Sequence, residues 1–104
     1  MVLTQLEGKV APEQWDTLKQ AFQAAIQQLP SAIYQTYLLQ DGDETNQWRI
    51  VTVWQSRQAL QEYRASVETP GGVLMFRAAG AEPMLSIFDV IDHALNDRSG
   101  NGSA

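Results

Sequence analysis

Few side chains in this sequence are suited to acid–base chemistry, and three of them are candidate catalytic residues. His93 is the only histidine, and histidine is the side chain best suited to proton transfer near neutral pH. Arg77 is always charged and can stabilise an anionic intermediate. Tyr63 can offer its hydroxyl group to a phenolic substrate. Each of the three can also be a solvated or packed side chain that takes no part in a reaction.

A second group, Trp54, Tyr37 and Asp89, contains the candidate substrate-binding residues. Trp54 can wall a pocket and stack on a flat aromatic ligand, or it can be a packed core side chain. Tyr34 and Tyr37 point to opposite faces of one predicted strand, so only one of them can face a cavity. Asp89 interrupts an apolar strand. Because a buried carboxylate is costly unless it is paired, Asp89 must lie at an edge, beside an arginine or in a wet cavity.

Composition argues against several other kinds of site. The chain has no cysteine and one histidine, so we expect no metal site. No Ser-His-Asp set can be assembled, and the Gly71-Gly72 pair follows a proline and is typical of a turn. The net charge is -5, and the seven basic residues are scattered along the chain. We therefore expect neither nucleic acid nor an anionic membrane as a partner.

The N-terminal residues carry no basic start followed by a long apolar stretch, so we expect no secretion signal. No uninterrupted apolar run is long enough to span a bilayer. The absence of cysteine also fits a reducing compartment. By default, these features place the protein in the cytoplasm.

The elements that position the candidate residues follow from hydrophobic periodicity. Apolar and polar residues alternate in the segments predicted as strands, and apolar residues recur every three or four positions in the predicted helices. Pro12 suits a first helical position, Pro30 ends that helix, and Ser56 can cap the next one. The predicted strands are residues 2–10, 32–40, 47–55 and 84–91; the predicted helices are 12–29, a second around Leu60, Tyr63 and Val67, and a short piece at 73–79.

The order β-α-β-β-α-β predicts an α+β, ferredoxin-like sandwich with an antiparallel sheet. We assign residues 1–95 to this single domain and expect the polar, glycine-rich residues 96–104 to form a disordered tail.

The third predicted strand is apolar on both faces. Trp48, Ile50 and Trp54 share one face, and Val51 and Val53 share the other. The helices can cover only one face of the sheet, and burying each remaining large side chain contributes about 1.5–3 kcal/mol. The second face therefore predicts a homodimer, in which two sheets pack as a dimeric α+β barrel. Alternatively, strand ends and the tail cover that face.

Residues 48–63 run from a strand that ends in Trp54, through a short polar cap, into an amphipathic helix that starts near Ala59 and Leu60. The preceding strand over residues 34–40 leads into an acidic turn. This layout resembles the middle of the antibiotic biosynthesis monooxygenase-like family. The resemblance implies a dimeric α+β barrel with a cavity between the sheet and the helices of each subunit.

Members of that family include cofactor-independent oxygenases of electron-rich aromatic compounds, haem-degrading enzymes and many small proteins of unknown role. Oxygenase members place an asparagine four positions before the strand-end tryptophan, where this chain has Ile50. They also place a tyrosine on the next helix; the expected position holds Leu60, and the nearest tyrosine is Tyr63. Haem-degrading members bind iron through a histidine on that helix, which this helix lacks.

The resemblance implies a monooxygenase that acts without a cofactor on a small aromatic or polyketide-like substrate. In this hypothesis Trp54 and Tyr63 position the ring, and Arg77 or His93 stabilises the anion or moves the proton. The alternative is a non-catalytic dimeric module that binds or senses a small apolar ligand, which the missing asparagine and missing helical histidine favour.

Overall fold

Four β-strands and three α-helices make up the computed structural model, which describes residues 1–96. Short 3-10 turns at Pro12–Gln14 and Ile26–Gln28 flank the first helix. The strands are β1 (Val2–Lys9), β2 (Ile33–Gln40), β3 (Gln47–Trp54) and β4 (Met84–Asp89), and the helices are α1 (Trp15–Ala25), α2 (Arg57–Ser66) and α3 (Gly71–Ala78).

The strands form one sheet in the order β2-β3-β1-β4, and every neighbouring pair is antiparallel. Each helix buries an apolar residue against the same face of the sheet. This arrangement confirms the predicted α+β, ferredoxin-like fold. The helix predicted over residues 12–29 is α-helical only in its centre and tightens to 3-10 turns at both ends. The tail predicted over residues 96–104 lies, except for Asn96, outside the described residues.

Local signals explain where the helices begin and end. The Oγ of Ser56 accepts a hydrogen bond from the Ala59 N–H at 3.0 Å, which caps α2 as its sequence predicts. After α3, Gly80 has φ of 76°, a left-handed conformation that glycine adopts without the steric cost of a Cβ. No helix among residues 1–96 is both long enough and apolar enough to cross a bilayer.

The helix-facing side of the sheet packs into two separate clusters. The α2 cluster, at one end, consists of buried Val2, Trp54 and Leu60. The other, the α1–α3 cluster, fills the space beneath those two helices. Its buried members are Leu6, Val10, Leu18, Trp48, Ile50, Phe76, Ala79 and Ala81.

The loop between β2 and β3 is organised by the carboxylate of Asp41. Its Oδ1 accepts hydrogen bonds from the N–H groups of Asp43 at 2.9 Å and Glu44 at 2.8 Å, and Arg49 lies 3.3 Å from Oδ2. The same Arg49 contacts Glu7 on β1 at 2.6 Å. The two backbone donors, and then Arg49, favour the charged carboxylate and lower the pKa of Asp41 below its ordinary value of 3.8.

We therefore expect Asp41→Asn to lower the free energy of unfolding at neutral pH, and this difference from the wild type to disappear in acid. Because the folded-state pKa is depressed, the stabilisation is fully present above pH 3.8 and is lost as the pH falls through the lowered folded value. Urea unfolding at several pH values measures the difference. Asp43→Asn is the control, since the Asp43 carboxylate accepts no such bonds. If Asp41→Asn lowered the free energy of unfolding by the same amount at every pH, the prediction would be contradicted.

Candidate functional site

A cavity of about 380 Å³ separates the α2 cluster from the α1–α3 cluster. The sheet forms its floor, and the end of α1, the inner side of α2 and the start of α3 form its walls. Most of the lining is apolar. The residues that line it are Thr4, Leu6, Phe22, Ala24, Ala25, Ile26, Gln28, Leu29, Pro30, Ile33, Thr36, Ile50, Thr52, Trp54, Leu60, Tyr63, Arg64, Pro70, Gly71, Gly72, Val73, Met75 and Leu85.

Three threonines form the floor of the cavity. Thr36, Thr52 and Thr4 lie side by side on β2, β3 and β1, because the strand register pairs Thr52 with each of the other two. The next row along the sheet carries larger side chains, including Ile50 and Leu38. The shorter threonine side chains leave open the space that larger ones fill on either side.

The floor also supplies polar groups to this apolar cavity. The hydroxyl oxygens of Thr36 and Thr52 are 2.9 Å apart, and Thr4 Oγ accepts a hydrogen bond from Trp54 Nε1 at 2.9 Å. A threonine hydroxyl has one proton to donate. The Thr36–Thr52 bond uses one of two protons, and the Trp54–Thr4 bond uses no threonine proton. Hydroxyl donors therefore remain for a ligand.

Trp54 and Tyr63 form an aromatic wall at the α2 end of the cavity. Their ring centroids are 5.2 Å apart, with the planes tilted by 41°. Trp54 is only 6% exposed, so it is a packed core residue that also lines the cavity. The hydroxyl oxygen of Tyr63 accepts a hydrogen bond from the Gly71 N–H at 3.0 Å. This bond leaves the hydroxyl proton free to be donated.

The start of α3 closes the cavity against the sheet. Gly71 and Gly72, which the sequence suggests as a turn, are instead the first residues of this helix. A Cβ at Gly72 would lie 2.5 Å from Cδ1 of Leu6. Only glycine therefore lets the helix approach β1 this closely without displacing the Leu6 side chain.

Arg64 is the only charged side chain that lines the cavity in the part of the chain that the structure describes. It follows Tyr63 in the last turn of α2, and its side chain is exposed. Among residues 1–96, no group of three His, Asp or Glu side chains is arranged to hold a metal ion.

Of the residues predicted from sequence to act in catalysis, Tyr63 lines the cavity, whereas Arg77 and His93 do not. Arg77 Nε lies 2.7 Å from Oε1 of Glu82. This pairing raises the pKa of Arg77 and lowers that of Glu82. His93 follows β4, is exposed, and donates its backbone N–H to Oδ1 of Asp92 at 2.8 Å.

Of the predicted substrate-binding residues, Trp54 lines the cavity, whereas Tyr37 and Asp89 do not. Tyr37 pairs with Val51 on the sheet face opposite the helices, and its hydroxyl donates to Gln35 Oε1 at 3.1 Å. Asp89 contacts the guanidinium of Arg57 at 2.5 Å. Of the three environments that the sequence left open for Asp89, two are observed together: it ends the edge strand β4, where it is exposed, and it is paired with an arginine.

The threonine floor and Arg64 are functional candidates that were not predicted from the sequence. A signal for the floor exists, since Thr4 and Thr52 occupy helix-facing positions in strands whose other helix-facing residues are almost all apolar. Recognising the row requires the register of three strands. No local signal distinguishes Arg64 from the other arginines.

Comparisons with known proteins agree with this architecture. The family model described as antibiotic biosynthesis monooxygenase matches residues 1–70. No curated protein matches the chain in sequence.

Solved structures with 14–19% sequence identity share the fold. A candidate antibiotic biosynthesis monooxygenase from Deinococcus radiodurans is 14% identical, with a TM-score of 0.69 over 92% of this chain and 97% of its own. Rv0793 from Mycobacterium tuberculosis is 16% identical, with a TM-score of 0.65 over 91% of this chain and 100% of its own. SnoaB, a cofactor-independent oxygenase from Streptomyces nogalater, is 19% identical, with a TM-score of 0.63 over 88% of this chain and 94% of its own.

Proposed function

The chain belongs to the antibiotic biosynthesis monooxygenase family, and we propose that it is a cofactor-independent monooxygenase of a small aromatic or polyketide-like substrate. The observation that carries this proposal is the apolar cavity with one aromatic wall and a floor of hydroxyl groups. Its volume of about 380 Å³ is within the ~300–1,000 Å³ typical of small-molecule sites. The likeness to the cofactor-independent oxygenase SnoaB supports the same reaction type.

The reaction needs no bound redox group if the substrate itself supplies the electrons. An anthrone-type ring CH₂ group loses a proton to a water molecule, and the resulting carbanion transfers an electron to O₂. A carbon–oxygen bond then forms, the peroxide anion takes a proton back to give a hydroperoxide, and loss of water leaves a ketone. The balance is R₂CH₂ + O₂ → R₂C=O + H₂O. A cavity that excludes bulk water protects the carbanion from reprotonation.

The residues of the cavity have separate roles in this proposal. Trp54 stacks on the substrate ring, and the free proton of Tyr63 is donated to the oxygen on which the carbanion charge is delocalised. The threonine floor offers further donors to substrate oxygens. Among the described residues, the lining contains no Asp, Glu, His or Lys. The site therefore suits a substrate whose ring proton is already acidic.

We expect Thr52→Phe to lower anthrone-dependent oxygen uptake at least tenfold. The new ring extends from the floor into the space that the substrate needs, while the cavity itself accommodates the added volume and the fold is kept. An oxygen electrode measures uptake with anthrone, and circular dichroism checks folding.

Thr52→Val is the matched control, because it removes the hydroxyl but keeps the volume. If oxygen uptake falls less in Thr52→Val than in Thr52→Phe, the effect of Thr52→Phe comes from the space that the ring fills and not from the loss of the hydrogen bond to Thr36. Absence of oxygen uptake by the wild type with anthrone and quinol substrates, or equal uptake by wild type and Thr52→Phe, would refute the proposal.

We also propose that the protein is a homodimer, with a second copy covering the face of the sheet opposite the helices. We call this surface the outer sheet face. It carries exposed Tyr37, Leu39, Met84 and Phe88. Leu3, Val51 and Val53 are half-buried on the same face. Apolar side chains that cross every strand of the sheet are typical of a surface that packs against a partner.

A non-catalytic role is the second candidate, and the absence of a carboxylate or imidazole from the described lining favours it. In this role the same cavity binds a small apolar ligand and releases it unchanged. Incubation of the protein with a retained ligand, followed by mass spectrometry, distinguishes the two roles. An oxidised product supports the monooxygenase, and an unaltered ligand supports the binding module.

A further inference from the structure

We propose that Arg64 selects aromatic substrates that carry a carboxylate group, which it binds at the rim of the cavity while the ring lies beside Trp54 and over the threonine floor. The inference rests on the cavity that the proposed function uses. Beyond that function, it specifies that the substrate is anionic and that Arg64 is the residue that binds its charged group.

The first support is that Arg64 is free to bind an external anion. It makes no ion pair with any residue from 1 to 96, although its side chain lies on the cavity lining. An arginine that is already neutralised by a carboxylate is a weaker anion site. The other arginines of the described chain are all paired: Arg49 with Glu7 and Asp41, Arg57 with Asp89, and Arg77 with Glu82.

The second support is the local charge balance. The whole chain carries a net charge of -5, so its average field disfavours anions. The described lining of the cavity contains one cation and no acidic side chain. A preference for an anionic ligand over a neutral one of the same shape is therefore expected to come from Arg64.

The position of Arg64 suits a permanently charged group. Arg64 is exposed, so a carboxylate bound there keeps part of its hydration and is not desolvated completely. The planar guanidinium matches a carboxylate with two parallel hydrogen bonds. Tyr63 and Arg64 both line the cavity, so the aromatic wall and the charged rim border the same space. A flat ring with a carboxylate on its edge can contact both.

A purely structural role is the competing explanation. Arg64 lies in the last turn of α2, where a positive charge interacts favourably with the helix dipole. Its loss would then lower stability but would not change which ligands bind.

The test compares two probes of similar shape, 2-naphthoate and the neutral 2-naphthalenemethanol, by isothermal titration calorimetry at pH 7. In the wild type we expect 2-naphthoate to bind more tightly. In Arg64→Gln we expect its affinity to fall about tenfold, equivalent to about 1.4 kcal/mol, with the affinity for the alcohol unchanged. Arg64→Lys should retain part of the preference, because it keeps the charge but not the planar pair of donors.

Arg57→Gln is the matched control, since Arg57 is on the same helix but is paired with Asp89 away from the cavity. It should leave both affinities as they are. Equal losses for the two probes in Arg64→Gln, an unchanged preference, or no binding of 2-naphthoate by the wild type would overturn the inference. The readout is binding alone, so failure of oxygen uptake refutes the monooxygenase without affecting this result.

Discussion

Phe76→Ala is expected to lower the free energy of unfolding by about 3–5 kcal/mol, the range found when a buried phenylalanine is truncated. Phe76 is 0% exposed. It lies in α3 and joins that helix to the α1–α3 cluster. Its ring is packed so closely against β1 that a Cβ at Gly8 would lie 3.1 Å from Cδ1 of Phe76. Such tight packing leaves little room for the surroundings to collapse into the cavity that the truncation creates.

Urea unfolding, followed by circular dichroism at one fixed protein concentration, measures this effect. The fixed concentration matters because association with a second copy would itself change the apparent stability. Leu74→Ala is the control, because Leu74 is in the same helix but is 53% exposed. This substitution should lower the free energy of unfolding by less than about 1 kcal/mol.

If Phe76→Ala does not fold, Phe76→Leu can replace it. Because this substitution removes less volume, it should lower the free energy of unfolding by a smaller but measurable amount. Equal stabilities of Phe76→Ala and Leu74→Ala would show that α3 does not depend on this contact.

Phe88→Asp is expected to weaken the proposed homodimer more than a hundredfold. Phe88 is 49% exposed in the single chain and lies opposite Leu3 on the outer sheet face. In a two-fold symmetric dimer the substitution acts twice, once from each copy. Each aspartate would lose most of its hydration in an apolar contact, and no compensating partner is provided.

Sedimentation velocity over a range of micromolar protein concentrations measures the association. Leu74→Asp is the control, since Leu74 has similar exposure but belongs to α3 on the other side of the sheet. It should leave the dimer intact. Tyr37→Ser, a milder change on the outer sheet face, should raise the dissociation constant even if Phe88→Asp does not fold. A wild-type chain that sediments as a monomer at every concentration would rule out the dimer.

A residue of the site could be predicted from sequence only where its immediate neighbours in the chain mark it as special. Trp54 stands out as an aromatic residue at a strand end, and Tyr63 follows it on an amphipathic helix with periodic spacing. Both line the cavity. Arg77 and Arg64 look equally suitable in the sequence. The difference between them is that a carboxylate of Glu82 contacts Arg77, whereas Arg64 reaches the cavity.

By itself, the sequence determined the elements and the fold class. Alternation along β1 and β3, the break at Pro30 and the cap at Ser56 are encoded within a few residues of where they act. The order β-α-β-β-α-β then places the helices on one face of the sheet.

Only the tertiary structure decided where a ligand can bind. The floor consists of residues at positions 4, 36 and 52, which are far apart in the sequence and meet because three strands pair in one register. The cavity exists because short threonine side chains lie between two separately packed clusters. Its size and charge depend on space left between distant segments, and this is a property of packing that no stretch of sequence records on its own.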